Sequence, residues 1–438
     1  MRAEATIGLR RESIDPHERR AALAPSHVRE LVREHHVDVR VAPSPTRIFS
    51  DAEYADAGAL LADDLGPCAV IFGVKEIPPE ELLPGTCYCF FSHTLKGQPH
   101  NMSMLRRILE LQCTLLDYEL VRNEHGRRLI AFGSFAGYAG MVNTLWALGR
   151  RLRWEGIDNP FTRLRRPHRY EDLEQVRSAV RAAGKIIAAA GLPPATVPLV
   201  FGICGQGRVS RGAVAILKLL PTRRVEPGDL SRFFAAGDFS DRVVYRVAFH
   251  QNDMFRPADP SRVFDRYRFH RYPEEYQSRL EEALPFLSVL VNGIYWEPRY
   301  PRLVTTSFLR RMWEQNPSPR LRVIGDITCD VDGSIEATVK SATLDSPVYV
   351  YGPLRNSVED GVEGIGPVIM AVDKLPSELP KQSTEAFGDA LFPFVPDLAQ
   401  VDYDVPLERL DLPQAFRPAV IAHRGRLAPA HGGLDSRL

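Results

Sequence analysis

The chain has 438 residues, 44% of them hydrophobic and 25% charged, with 55 Lys+Arg against 55 Asp+Glu. That length exceeds one ordinary core, so two domains are expected. Balanced charge offers no broad basic surface for nucleic acid or a membrane, and no stretch is apolar for long enough to span a bilayer, so charge recognition is local. No apolar signal region opens the chain. Cys68, Cys87, Cys89, Cys113, Cys204 and Cys329 lie mostly in apolar runs without CxxC spacing. They read as buried, reduced thiols rather than a metal site, which suits a cytoplasmic protein.

In chain order, Ala5 to Leu9 reads as a strand, followed by a charged run through Arg10, Glu12, Glu18 and Arg20. Pro25 opens a helix to His36, and Val37 to Ala42 alternates as a strand. Asp51 to Leu61 reads as a helix. Cys68 to Val74 is a buried strand ending in Lys75-Glu76, and Thr86 to Phe91 is another ending in Ser92-His93. Asn101 to Leu111 is helical, and Cys113 to Leu116 is a strand leading to Asp117-Tyr118-Glu119. Phe135 to Trp154 reads as a long connecting helix that starts with small residues. Residues 158–170 form a loop, and Glu171 to Ala190 is helical.

An apolar run from Pro198 then ends in Gly205-Gln206-Gly207, and a helical segment follows at once. Thr222 to Val225 and Asp241 to Ala248 read as strands, Phe249 to Pro260 as a loop and Pro273 to Ala283 as a helix. Strands follow at Phe286 to Tyr295, Leu321 to Thr328, Pro347 to Gly352 and Val368 to Val372. Ser383 to Phe392 is a last helix, and the tail beyond Leu412 reads as irregular. Alternating strands and helices imply an α/β fold with parallel sheets. A full α/β unit precedes the glycine turn, so two Rossmann-like domains are expected. The first comprises residues 1–135 plus 380–438 and the second residues 136–379, with the active site in the cleft between them.

The glycine turn is the clearest chemical signal. A strand, a Gly-x-Gly turn and a helix form the arrangement that holds a dinucleotide pyrophosphate. Gly205 permits the tight turn, and Gly207 lets the backbone approach phosphate, with Gln206, Arg208 and Val209 around them. The third fingerprint position is Ser210 rather than glycine. Glu226 lies about 20 residues after Gly205, where an acid would bind the adenosine ribose and favour NAD(H). Arg208, Arg223 and Arg224 could instead meet a 2′-phosphate and favour NADP(H), and Asp253 could lie near the cofactor.

Ligands in parallel sheets sit beyond the carboxyl ends of strands, where Lys75, Glu76, His93 and Glu119 fall. Lys75 and His93 are acid–base candidates. The bland alternative has Lys75 paired with Glu76 on the surface and His93 capping a helix. Arg20 and Arg128 are candidates for carboxylate binding, because guanidinium matches carboxylate bidentately.

Several runs then resemble one family. They are Arg10-Arg11-Glu12 with Glu18-Arg19-Arg20-Ala21-Ala22-Leu23, Gly73-Val74-Lys75-Glu76, Phe90-Phe91-Ser92-His93-Thr94, Asp117-Tyr118-Glu119, Gly126-Arg127-Arg128 and Ala131-Phe132-Gly133-Ser134-Phe135-Ala136-Gly137. The glycine turn through Gly212, Val291-Asn292-Gly293-Ile294-Tyr295-Trp296-Glu297 and Asp326-Ile327-Thr328-Cys329-Asp330-Val331-Asp332-Gly333 extend the match. Together, over about Ile7 to Ala422, they resemble the lysine-forming saccharopine dehydrogenases. They are most like the lysine-ketoglutarate reductase half of the bifunctional aminoadipic semialdehyde synthases, within the wider alanine dehydrogenase and transhydrogenase group.

The resemblance implies NAD(P)-dependent condensation of lysine with 2-oxoglutarate to saccharopine, and the reverse. It casts Lys75 and His93 as the acid–base pair, with Glu76 and Glu119 modulating them. Arg20 and Arg128 would bind substrate carboxylates, with Phe132 in the same site. Asn292, Asp326 and Asp330 fall on the cofactor side, the last two without a choice between them. Ser210 is the family's own residue at its position. The bifunctional relatives imply NADP(H), with NAD(H) as the alternative. The bifunctional relatives continue into a second dehydrogenase, so saccharopine cleavage to glutamate is not expected of this chain. Competing expectations are the same fold acting on another amino acid and keto acid, and a nucleotide-binding regulator without turnover. No metal is expected, and oligomeric state is not readable.

Overall fold

The structure, a computed structural model, describes residues 5–95 and 97–438. Its strands in chain order are β1 (Thr6–Leu9), β2 (Asp38–Val41), β3 (Leu60–Leu61), β4 (Val70–Phe72), β5 (Cys87–Phe90) and β6 (Thr114–Asp117). Next come β7 (Val200–Cys204), β8 (Thr222–Val225), β9 (Val244–Phe249), β10 (Phe255–Pro257), β11 (Tyr276–Ser278) and β12 (Val289–Asn292). The last are β13 (Val323–Asp326), β14 (Val348–Gly352), β15 (Ser357–Asp360), β16 (Val368–Met370), β17 (Val420–His423) and β18 (Arg426–Leu427). The described residues as far as Phe132, with Pro380–Leu438, form one compact unit, and Gly133–Leu379 form the other.

In the first unit the sheet order is β18-β17-β6-β5-β4-β1-β2-β3. Its six-stranded core is parallel, in the doubly wound order, and the order reverses between β1 and β4. β4 and β5 are short runs of Val, Ile, Phe, Cys and Tyr buried at every position, as strands covered on both faces require. The second sheet runs β15-β14-β16-β13-β12-β7-β9-β8 and reverses between β7 and β12. Both sheets are parallel-rich but mixed. β17 runs antiparallel to β6, and β14 runs antiparallel to its neighbours β15 and β16. The two α/β halves expected of the sequence are present as Rossmann-like sheets, with these antiparallel additions at their edges.

Four local expectations change. The helix from Asp51 stops at Asp56, because Gly58 takes φ +98° and turns the chain into β3. The stretch Phe249 to Pro260 is not a plain loop. It holds a short helix, Gln251–Met254, and then β10, which pairs with β11. The helix expected at Pro273 to Ala283 is replaced by β11 between 3₁₀ turns. An aromatic cluster decides this: Phe269 stacks on Phe255 at 4.7 Å and meets Tyr276 edge-on at 5.2 Å. The tail is not irregular throughout, since β17 is fully buried and extends the first sheet beyond β6.

The helix Gly133–Trp154 lies in the second unit, against the helix Arg208–Leu217 that follows the glycine turn. A methyl group on Gly137 or Gly212 would strike backbone of the opposite helix, so these two glycines set the close approach. No helix among the described residues is long and apolar enough to cross a membrane. All six thiols are free, and burial pushes Cys68 up to about 12.

Candidate active site and nucleotide site

In the first unit the exits of β1, β4, β5 and β6 lie side by side, because Leu9 pairs with Phe72, Phe72 with Cys89, and Phe90 with Asp117. The polar residues following these strands therefore gather at one edge, across the point where the strand order reverses. Glu12, after β1, accepts hydrogen bonds from the backbone amides of Val74 (2.8 Å) and Lys75 (2.9 Å), after β4. Burial pushes its carboxyl up, against the pull of Arg10. Asp117 does the same between β5 and β6, accepting from the Ser92 hydroxyl, the Ser92 amide at 3.1 Å and the Glu119 amide at 2.7 Å. These two buried carboxylates hold the loops that carry Lys75, His93 and Glu119.

His93 Nδ1 lies 2.5 Å from Glu76 Oε1. Burial would raise Glu76, but the hydrogen bond and charge of His93, with help from Lys75, bring its carboxyl below the usual range. His93 takes φ 48°, a conformation non-glycine residues seldom adopt, and its carbonyl accepts from Asn101. Its ring is stacked with Phe91 at 6.2 Å. Arg20 is 3% exposed and clamps Glu18 through Nε (2.7 Å) and Nη2 (2.5 Å). Burial opposes ionisation of Glu18, but the charge and hydrogen bonds of Arg20, then the charge of Lys75, hold it below the usual range.

The Arg20 guanidinium lies 4.1 Å over the Phe132 ring, and Phe132 stacks on Phe387 at 4.6 Å. Arg128 sits over Phe91 at 5.2 Å, with Nη1 3.5 Å from Glu119 and Nε donating to the Ile130 carbonyl. Lys75, Glu76, His93, Arg20, Arg128, Glu119 and Phe132 are thus brought together by a continuous chain of contacts. The structure joins Glu76 to His93, and Lys75 adds its charge to both Glu18 and Glu76.

Glu12, Glu18, Asp117, Phe91 and Phe387 were not picked out for this site by the sequence. Glu18 could have been, since its spacing from Arg20 suits a local ion pair. Phe387 had no local signal, because it arrives from the helix Pro380–Leu391. No cluster of three or more His, Cys, Asp or Glu suited to a metal occurs among the described residues.

In the second unit, β7 ends at Cys204 and Gly205 turns with φ +91°, its amide donating to the Phe249 carbonyl at the end of β9. Gly207 is the N-cap of the helix Arg208–Leu217 and offers its amides no side-chain cap. A Cβ on Gly207 would meet nothing within 4 Å, so open space lies over the turn. Arg208 and Val209 occupy the first helical turn. Ser210 donates its hydroxyl to the Cys204 carbonyl at 2.8 Å and is 2% exposed, which gives the serine a structural job glycine could not do. Uncapped amides, open space and a positive-φ glycine suit a dinucleotide pyrophosphate.

The turn borders a cavity of about 1130 Å³, lined also by residues after β9 and by Gly293 to Trp296 after β12. Asn292 and Asp326 face inward. Asn292 donates to Asp326 (2.9 Å) and Ser334 (2.9 Å), and Asp326 also accepts from Thr328 (2.7 Å) and Thr338 (2.6 Å). Asp330 lies exposed on the loop beyond β13. The structure thus separates the two aspartates left undecided by the sequence. Asp326 braces the end of the sheet, and Asp330 is open to solvent.

Arg224 and Glu226 are not beside the glycine turn. β9, not β8, adjoins β7, so β8 is the sheet edge, and these two side chains pair with each other at 2.8 Å. The spacing from Gly205 leads to the sheet edge because β9 intervenes between β7 and β8. Asp253 accepts from the His250 amide at 2.8 Å, as a cap.

Comparison with known proteins agrees with this architecture. Residues 8–139 match the family model of the alanine dehydrogenase/PNT N-terminal domain. The alpha-aminoadipic semialdehyde synthase of Arabidopsis thaliana is 40% identical over 438 residues, covering 96% of this chain and 40% of that protein. The mitochondrial alpha-aminoadipic semialdehyde synthase of Bos taurus is 38% identical, covering 97% and 47%. The chain therefore spans less than half the length of these two relatives. The NAD(+), L-lysine-forming saccharopine dehydrogenase of Neurospora crassa is 27% identical, covering 86% of this chain and 87% of that one. Among solved structures, an L-alanine dehydrogenase matches with TM-score 0.62 at 19% identity, covering 98% and 99% of the two chains. The transhydrogenase from Sinorhizobium meliloti matches with TM-score 0.56 at 14% identity, covering 97% and 99%. The chain is thus similar over most of its length to part of the alpha-aminoadipic semialdehyde synthases and to the lysine-forming saccharopine dehydrogenase, and it has the fold of alanine dehydrogenase.

Proposed function

We propose that this chain condenses L-lysine with 2-oxoglutarate and reduces the product to saccharopine, and catalyses the reverse, with NADP(H) as cofactor. The observation that carries this reading is the cluster in the first unit, where the His93–Glu76 pair and Lys75 stand among two guanidiniums, Arg20 and Arg128. On this reading the first unit handles substrate and the second the nucleotide. The relatives' names, with lysine-forming saccharopine dehydrogenase among them, support the same substrates.

The chemistry asks for what this cluster offers. Lysine and 2-oxoglutarate bring three carboxylates between them, and the two arginines are the matching cations. Glu18 already occupies Nε and Nη2 of Arg20, so substrate meets its remaining Nη1. The lysine ε-amine must lose a proton before it attacks the ketone, and the carbinolamine must lose water to form the imine. His93, held at Nδ1 by Glu76, presents Nε2 for one of these transfers, and Lys75 serves the other. Phe91 and Phe132 cover the cations with apolar surface and limit water. The reduced nicotinamide supplies the hydride that converts imine to secondary amine.

The test is loss of NADPH absorbance in the presence of lysine and 2-oxoglutarate together, with neither sufficient alone. Faster turnover with alanine, ornithine or glyoxylate would move the chain to another amino acid and keto acid pair. No turnover with any pair would leave a nucleotide-binding regulator.

A further inference from the structure

The cavity beside the glycine turn has a charge pattern that hydride chemistry does not require. In a doubly wound sheet the 2′ position of the adenosine ribose is read from the end of the strand next to the first one. Here that strand is β9, with Cys204 opposite Phe249. Glu226 ends β8, a further strand away, about 10 Å from β7 at ordinary strand spacing. The first residue beyond β9 is His250, and its Nδ1 accepts from the Gln206 side chain in the glycine turn. That leaves Nε2 as the donor.

Among the described residues no Asp or Glu lines this cavity, whereas four arginines and His250 and His270 do. Three of the arginines face carboxylates outside the lining, two of them sharing one. Arg256 pairs with Glu282 at 2.5 Å, Arg262 with Glu275 at 2.9 Å, and Arg279 with Glu282 at 3.9 Å. Arg266 makes no ion pair or hydrogen bond among the described residues. Its charge is felt at His270, whose ring burial lowers first and Arg266 and Arg299 lower further. The wall facing the turn is therefore cationic, and nothing acidic lines it to repel a phosphate dianion or to accept a ribose hydroxyl.

We propose that Arg266, together with His250, binds the 2′-phosphate of NADP(H), and that Arg224 and Glu226 take no part in cofactor choice. This rests on the nicotinamide-dependent reading given above. A guanidinium without a carboxylate partner is suited to grip phosphate bidentately, and the His250 Nε2 proton supplies a further donor. Arg266 comes from the short helix Arg266–Arg271, within the insert bounded by β10 and β11. Cofactor selectivity is thereby placed on a segment outside the βαβ unit itself.

Calorimetric binding of 2′,5′-ADP and of 5′-ADP tests this without turnover. The wild-type chain is expected to prefer 2′,5′-ADP by tenfold or more, about one decade of affinity. Arg266→Ala should weaken 2′,5′-ADP at least tenfold more than it weakens 5′-ADP, with Arg266→Lys recovering part of the difference. Arg224→Ala and Glu226→Ala should leave the preference as in wild type. A wild-type chain with no preference overturns both this inference and the choice of NADP(H). A wild-type preference that survives Arg266→Ala, or disappears in Arg224→Ala, overturns this inference alone. Arg266 is exposed and unpaired, so loss of fold is not expected, and unchanged circular dichroism checks it.

Discussion

The carboxyl ends of the two sheets are furnished in opposite ways. In the first unit they are crowded with charge already committed: Arg20 to Glu18, His93 to Glu76 and Arg128 to Glu119, braced underneath by Glu12 and Asp117. In the second the end of β7 is bare of side chains, with glycines and uncapped helix amides beside open space and an unpaired guanidinium along the same cavity. Under the proposed function, the difference follows from what each unit would have to do. Moving protons requires side chains of defined geometry, so their partners are built in. Holding a pyrophosphate requires backbone amides and room, so side chains are withdrawn.

The largest effect that sharpens this contrast is on rate. His93→Gln and Lys75→Met should each lower kcat by about 10²–10⁴ while leaving 2′,5′-ADP binding unchanged. Steady-state kinetics beside calorimetry would separate the two, and a wild-type rate in either variant sinks the acid–base assignment.

Next comes stability in the first unit. Arg20→Ala strands the Glu18 carboxylate in a nearly fully buried place, and should cost about 3–5 kcal/mol in denaturant unfolding. Glu18→Ala made on top of it should recover much of that loss, because the uncompensated charge is gone. Arg128→Ala breaks a pair about one-third exposed and should cost about 1 kcal/mol or less, with its effect in KM for the keto acid.

In the second unit the corresponding vulnerability is steric. Gly137→Ala drives a methyl group into the backbone of the helix after the glycine turn, and about 1–3 kcal/mol of overpacking should appear as a lowered Tm. A neutral result there would mean the two helices can separate at no cost.

The smallest effect is on pH dependence. The Glu76 carboxyl titrates below its ordinary 4.5 in the folded chain, with His93 outweighing burial. Its share of stability is therefore complete above that value and is lost as pH falls through the lower folded one. Glu76→Gln should flatten the acid limb of the stability curve below about pH 4.5. An unchanged acid limb would mean His93 does not hold this carboxylate in solution.

Much of this was legible in the residues themselves. Val70–Phe72 and Val200–Cys204 are apolar runs that could only be buried strands, and the glycine turn announces its own backbone. Lys75, His93 and Glu119 stood out because they follow such strands. Asp326 looked as eligible as Asp330 until Asn292, Thr328 and Thr338 were found closing around it. The aromatic packing of Phe255, Phe269 and Tyr276 overrode a helical pattern after Pro273.

By itself the sequence determined the α/β alternation, the glycine turn and the polar residues at strand ends, since periodicity and turn chemistry act over a few neighbours. Only the tertiary structure decided which strand lies beside which. It inserted β9 between β7 and β8, moved Glu226 to an edge, brought Phe387 onto Phe132, and set Arg266 along the cavity beside Gly207. Those choices are made by pairing and packing between segments far apart in the chain, whose energies no local pattern records.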